Sequence, residues 1–129
     1  GDQFGKEGGL KTSEYSLLSE NQDINHLIKV GEAVETSKGK AFEVEELSPI
    51  KKGDLSYEDY VKVEKALHEL NDRGVEYNDN AVIMRRANGD AVLIDLSNSI
   101  KTGKKVERES LGFKAEEQRS YRHPQGDKV

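Results

Sequence analysis

Residues 57–72, "YEDYVKVEKALHELND", constrain the fold more than any other stretch. Tyr60, Val63, Leu67 and Leu70 recur at spacings of three and four, which on a 3.6-residue helix makes one continuous apolar stripe. Ser56 precedes the stripe with Asp59 three residues on, a pairing in which each side chain caps the other's backbone N–H. Arg73 and Gly74 supply the end: a cation suits the negative pole of the helix dipole, and glycine accepts the left-handed turn that follows a helix. Such a stripe must be buried against something. With 33% apolar and 35% charged residues in a chain of 129, the composition allows one modest core with polar ends.

The apolar runs "AVIMRR" (81–86) and "AVLIDL" (91–96) are the natural partner. They are separated by "ANGD", and Asn88-Gly89 is the strongest hairpin signal in the chain, because both positions of a two-residue turn want positive φ. Apolar residues at nearly every position predict strands covered on both faces. Upstream, "HLIKVGEAVET" (26–36) and "KAFEVEEL" (40–47) read as two strands joined by "SKGK" with Gly39 in the turn. Alternation in the second puts Phe42 and Val44 on one face and Glu43 and Glu45 on the other. "TSEYSLLSENQ" predicts a short helix capped by Thr12 or Ser13, with Glu14 at its positive end and Tyr15, Leu17 and Leu18 as its apolar face. Pro49 and Gly53 break regular structure in "LSPIKKGD". The glycine-rich start, residues 1–11, reads as flexible, as does the tail 118–129, whose apolar content is too low to pack alone.

Composition also excludes functions. A net charge of -5 gives no basic face for nucleic acid, and the cluster "IKTGKKVER" has acidic neighbours that mark a solvated loop. Without cysteine there is no disulfide, no thiolate zinc site and no thiol nucleophile, which fits a cytoplasmic, reducing compartment. No apolar run approaches the roughly 20 residues of a membrane span, and no signal-peptide pattern opens the chain. "GKEGG" lacks the Gly-Lys-Ser/Thr ending of a phosphate loop. His68, beside Leu67 and Leu70, reads as a half-buried packing residue. His26 and His123 have no acidic or histidine partner at metal spacing. Tyr57, Tyr60 and Tyr77 read as core or rim.

Three segments, "ALHELNDRGVEYND" (66–79), "NAVIM" (80–84) and "AVLIDLS" (91–97), carry a resemblance. In this order they resemble the middle of a protein kinase-like domain: a helix end, then "YND" where the family writes His-x-Asp, then "IDLS" where it writes Ile-Asp-Phe-Gly. "LGFKAEE" (111–117) is similar to the segment closing on Ala-Pro-Glu, with Glu116 or Glu117 in the Glu position. The resemblance spans roughly residues 11–117 and is closest to kinases that bacterial pathogens secrete into host cells. It implies an α+β fold, a truncated kinase-like core over 12–117 made of a short helix, a β-hairpin, a long helix, a second β-hairpin and an irregular tail.

The resemblance also implies roles and cofactors, namely ATP and Mg²⁺ if the site is active. Asp79 matches the base that accepts the substrate hydroxyl proton. Asp95 matches the Asp that holds Mg²⁺, and Asn80 is the candidate second metal ligand. Lys11 matches the strand lysine on the phosphates, with Glu14 or Glu20 as its ion-pair partner. "EVEEL" (43–47), with Glu45 and Leu47, matches the hinge whose backbone meets adenine. Phosphoryl transfer is mostly positioning plus neutralisation of charge on the γ-phosphate, so these groups must converge.

Several positions depart from the pattern. Four residues normally separate the catalytic Asp from the metal-binding Asn, whereas Asp79 and Asn80 are adjacent, and neighbours on an extended chain point to opposite faces. Tyr77 replaces the His, which predicts loss of a structural hydrogen bond, and Ser97 replaces the Gly. The expectation is a pseudokinase-like module, of a secreted effector, that acts by binding a protein partner in the cytoplasm or a host cytosol. The alternatives are a minimal active Ser/Thr kinase that phosphorylates a protein hydroxyl, and an unrelated small α+β binding domain. Read without the family, Asp95 is a turn cap, Asp79-Asn80 a turn former and Lys11 an ordinary exposed lysine.

Overall fold

Among the described residues, two helices and a set of short antiparallel strands make this an α+β chain. The computed structural model describes residues 4–6, 12–37, 39–51, 53–78 and 81–111. Among them the elements run β1 (Phe4–Lys6), α1 (Thr12–Ser19), β2 (Val30–Thr36), β3 (Gly39–Glu45), β4 (Ser48–Pro49), α2 (Tyr57–Asp72), β5 (Val75–Glu76), β6 (Val82–Arg85), β7 (Ala91–Ile94) and β8 (Ile100–Lys101). The tail 118–129 and the "AEE" acids lie outside the described residues.

Helix α2 forms as its sequence dictates. Ser56 accepts from the N–H of Asp59, and Asp59 accepts from the N–H of Ser56, so two otherwise orphaned donors are satisfied reciprocally. The stripe is buried, with Tyr60 at 1% and Val63, Leu67 and Leu70 at 0% exposure. Arg73 ends the helix, and its guanidinium binds Asp23 at 2.6 Å and Asn21 Oδ1 at 2.9 Å. That partner holds the Asp23 carboxyl at a pKa of about 2, well below the usual value, and ties the turn after α1 to the end of α2.

Gly74 follows with φ +91°, and a Cβ there would meet the Lys104 carbonyl oxygen at 3.0 Å. Gly74→Ala is therefore expected to cost about 1–3 kcal/mol, from left-handed strain plus displacement of residues 103–104. Urea denaturation measures it, and an unchanged midpoint would contradict the account.

Among the described residues the strands form three small sheets, and α2 packs on β7 and β5. β1-β3-β2 form one, β4-β6-β7 a second and β5-β8 a third. β7 packs on α2, so the hairpin is the floor on which the stripe rests. Ile83, Leu93, Leu18, Leu27, Leu55, Leu96 and Leu111, all fully buried, complete the core. Each such side chain contributes about 1.5–3 kcal/mol of burial.

Several expectations change. The start of the chain is not wholly without structure, since Phe4–Lys6 pairs antiparallel with β3. The strand expected from His26 begins at Val30. His26 adopts φ 64°, and residues 26–28 instead join β7: Leu93 N donates to His26 O at 2.8 Å and Ile28 N to Leu93 O at 3.1 Å. Pro49 does not end regular structure; Ser48–Pro49 pairs with β6 as an edge strand, where proline is tolerated. Thr12 is helical rather than a cap. Asn88 lacks the positive φ expected of it, because the loop has three residues: Gly89 N donates to Arg86 O at 2.9 Å and Arg86 N to Asp90 O at 2.8 Å, with Gly89 alone left-handed. Finally, β7 is covered as expected, but β6 buries only Ile83 and leaves Val82 and Met84 half-exposed.

Candidate functional site

Asp95 directly follows β7 and adopts φ 64°, a left-handed backbone that Asp tolerates better than most residues. Its side chain is exposed and accepts from Ser97 Oγ at 2.9 Å. The next N–H, that of Leu96, points inward and donates to Glu14 Oε2 at 2.9 Å. Glu14 lies in the first turn of α1 and is 6% exposed, because Leu17 and Leu18 press the same helix onto the core. A carboxylate on α1 thus fixes the turn that presents Asp95.

Tyr77 holds the other side. Its ring is buried, and its hydroxyl donates to the Ile94 carbonyl at 2.5 Å, one residue before Asp95. Tyr77, for which a missing hydrogen bond was expected, therefore makes one. Asn78 is left-handed at φ 58° and exposed, so the chain turns outward as it approaches Asp79. Glu109 accepts from Tyr77 N at 2.9 Å and from Asn78 N at 3.4 Å.

The nominated residues divide into three groups. Lys11, Asp79 and Asn80 lie outside the described residues, between or beside segments that are described. Asp95 stands exposed where a ligand could reach it. The rest are engaged elsewhere. Glu20 forms an exposed ion pair with Lys101 at 2.9 Å. Glu45, expected on the face opposite Phe42 and Val44, is buried: it pairs with Arg86 at 2.8 Å and accepts from Lys29 N at 2.7 Å. Its own N–H donates to Lys29 O at 3.0 Å. The carboxylate also raises the Arg86 pKa further, holding that proton firmly. Leu47 is half-buried and packs against the core.

No family model matches this sequence, and no curated protein matches it. The chemistry must come from the side chains themselves. Among the described residues no three His, Asp or Glu side chains gather as a metal-binding group. Asp95 nevertheless has the oxygen chemistry and exposure of a Mg²⁺ ligand. Among the described residues, no helix is long and apolar enough to cross a membrane.

Sequence reasoning missed three residues. Asn71 is fully buried; its Nδ2 donates to Val75 O at 3.0 Å and to Glu109 Oε1 at 2.8 Å. The signal was present, since Asn71 stands four residues after Leu67 on the core side of the helix. Glu109, in a charged stretch read as solvated, gave no signal. Arg86, at the end of "AVIMRR", carried no local signal of its pairing with Glu45. His68, by contrast, is the half-buried packing residue expected, with Nε2 donating to Glu109 O at 3.1 Å.

Proposed function

We propose that this chain is a pseudokinase-type module, a reduced kinase-like core of a secreted bacterial effector that acts by binding a protein partner. The observation that carries it is the use of the acidic residues that would otherwise serve a nucleotide. Glu14 accepts from Leu96 N, Glu20 pairs with Lys101, and Glu45 closes on Arg86. Each of these carboxylates makes a bond within the fold, and those of Glu14 and Glu45 are buried. The kinase-like reading draws support from β7 packing on α2 and from two bonds, Glu14–Leu96 and Tyr77–Ile94, that tie helix, turn and strand around Asp95.

Asp95 favours the alternative of a minimal active kinase, because an exposed, left-handed carboxylate at a strand end suits a Mg²⁺ ligand. Bound Mg-ATP would supply the transferable phosphoryl group; Asp95 would hold the metal ion and Asp79 would accept the substrate hydroxyl proton.

Thermal melting with millimolar Mg-ATP separates the two. The pseudokinase reading expects no shift in the wild type. A clear upward shift, abolished in Asp95→Ala, would overturn it, and transfer of γ-labelled phosphate lost in Asp79→Ala would establish the enzyme.

A further inference from the structure

Beyond β8 the chain runs along α2 without regular structure, yet it is bonded throughout. Thr102 N donates to Gly74 O at 2.7 Å, and Val106 N donates to Asn71 O at 2.9 Å. Arg108 pairs with Asp72 at 2.8 Å, Glu109 N donates to Asn71 Oδ1 at 2.8 Å, and Leu111 is fully buried. These anchors fall on the end of α2 and on the turn after it. Lys104, Lys105 and Glu107, between them, are exposed.

Glu109 is the unusual member. Its carboxylate reaches back to two consecutive backbone N–H groups, of Tyr77 and Asn78, and to the amide of Asn71. Successive N–H groups at a left-handed turn form a concavity that accepts an anion, and here the anion belongs to the same chain. The residues so gripped lead directly into Asp79 and Asn80.

We propose that residues 102–111 are a releasable strap and that Glu109 is its latch, so that the strap's docking sets the conformation of the Tyr77–Asn78 turn. Strap and turn then open and close as one unit, separately from α2. Opening loosens the backbone around the exposed Lys104 and Lys105, so that it can adapt to a protease. The coupling is a property of this geometry and holds whether or not a nucleotide binds.

Residue-resolved amide exchange and limited trypsinolysis test it. Glu109→Ala should speed exchange at Tyr77 and Asn78, and cleavage after Lys104 and Lys105, by about tenfold or more, with Leu67 and Leu70 amides unchanged. Glu109→Gln, which keeps an acceptor oxygen without the charge, should fall between. Faster cleavage with unaltered exchange at Tyr77 and Asn78 would overturn the coupling. Faster exchange at Leu67 and Leu70 in step with Tyr77 would reduce Glu109 to general support of the fold. If Glu109→Ala does not fold, the wild type in rising sub-denaturing urea decides: Tyr77, Asn78, Val106 and Glu109 amides should open together before Leu67 and Leu70, and scattered openings would refute the strap.

Discussion

Glu45→Ala is expected to lower the free energy of unfolding by about 3–5 kcal/mol, measured as a fall in the urea midpoint with unchanged slope. The Glu45 side chain is 7% exposed and that of Arg86 19%, so neither charge is well screened by water. Arg86 gives Glu45 two bonds, from Nε at 2.8 Å and from Nη2 at 3.1 Å. Truncation leaves a partly buried guanidinium with only Asp90 at 3.5 Å and the Leu27 carbonyl at 3.3 Å, and it orphans the N–H of Lys29. Removing one partner of a buried pair is costly for that reason, whereas replacing both with apolar groups of similar size is often nearly neutral. The double variant Glu45→Met, Arg86→Met should therefore recover much of the loss. A cost below about 1 kcal/mol for the single variant would mean the pair behaves as an exposed one.

The second large effect is at Glu14. Glu14→Ala should cost about 2–3 kcal/mol, because a charged acceptor is lost and the N–H of Leu96 is left buried without it. The effect should be local as well as global. Leu96 follows a residue held at φ 64°, and such a conformation persists only where its surroundings over-determine it. Exchange at the Leu96 amide should accelerate beyond what the change in global stability explains. Glu14→Gln, which keeps an oxygen in place, should retain most of the protection. Equal losses for the two variants would show that charge or shape, not acceptance of this bond, is what matters.

What the sequence revealed follows the range of the interaction. Helix α2 was legible to its caps, because the Ser56–Asp59 box and the stripe from Tyr60 to Leu70 lie within sixteen residues of one another. The 82–94 hairpin was legible as strands but not as a loop; one register choice, with Arg85 opposite Ala91, turned Asn88 from a left-handed position to an ordinary one. The strand Phe4–Lys6 was not legible, since its pairing depends on Glu45, far along the chain. The burial of Glu45 was hidden for a like reason. Alternation set Glu45 opposite Phe42, yet both are buried, and it could not anticipate that Arg86, 41 positions on, would pair with Glu45.

The candidate site divides in the same way. That Asp95 would close a strand was evident from "AVLID", and it stands at the end of β7. The bonds that shape its turn were not evident, because Glu14 and Leu96 are joined across most of the chain. Tyr77 shows the limit of reading by analogy: a replaced residue type suggested a missing bond, and the phenol supplied one to Ile94. Asn71 and Glu109 lie 38 positions apart, and no local pattern connects them.

The two residues that Glu109 touches most closely impose an order of assembly on the molecule. Asn71 can offer its amide, and Tyr77 its N–H, only after α2 has wound to its last turn and Gly74 has reversed the chain. The segment ending at Leu111 docks on groups that exist only once α2 and the turn after it are in place, so its docking depends on theirs.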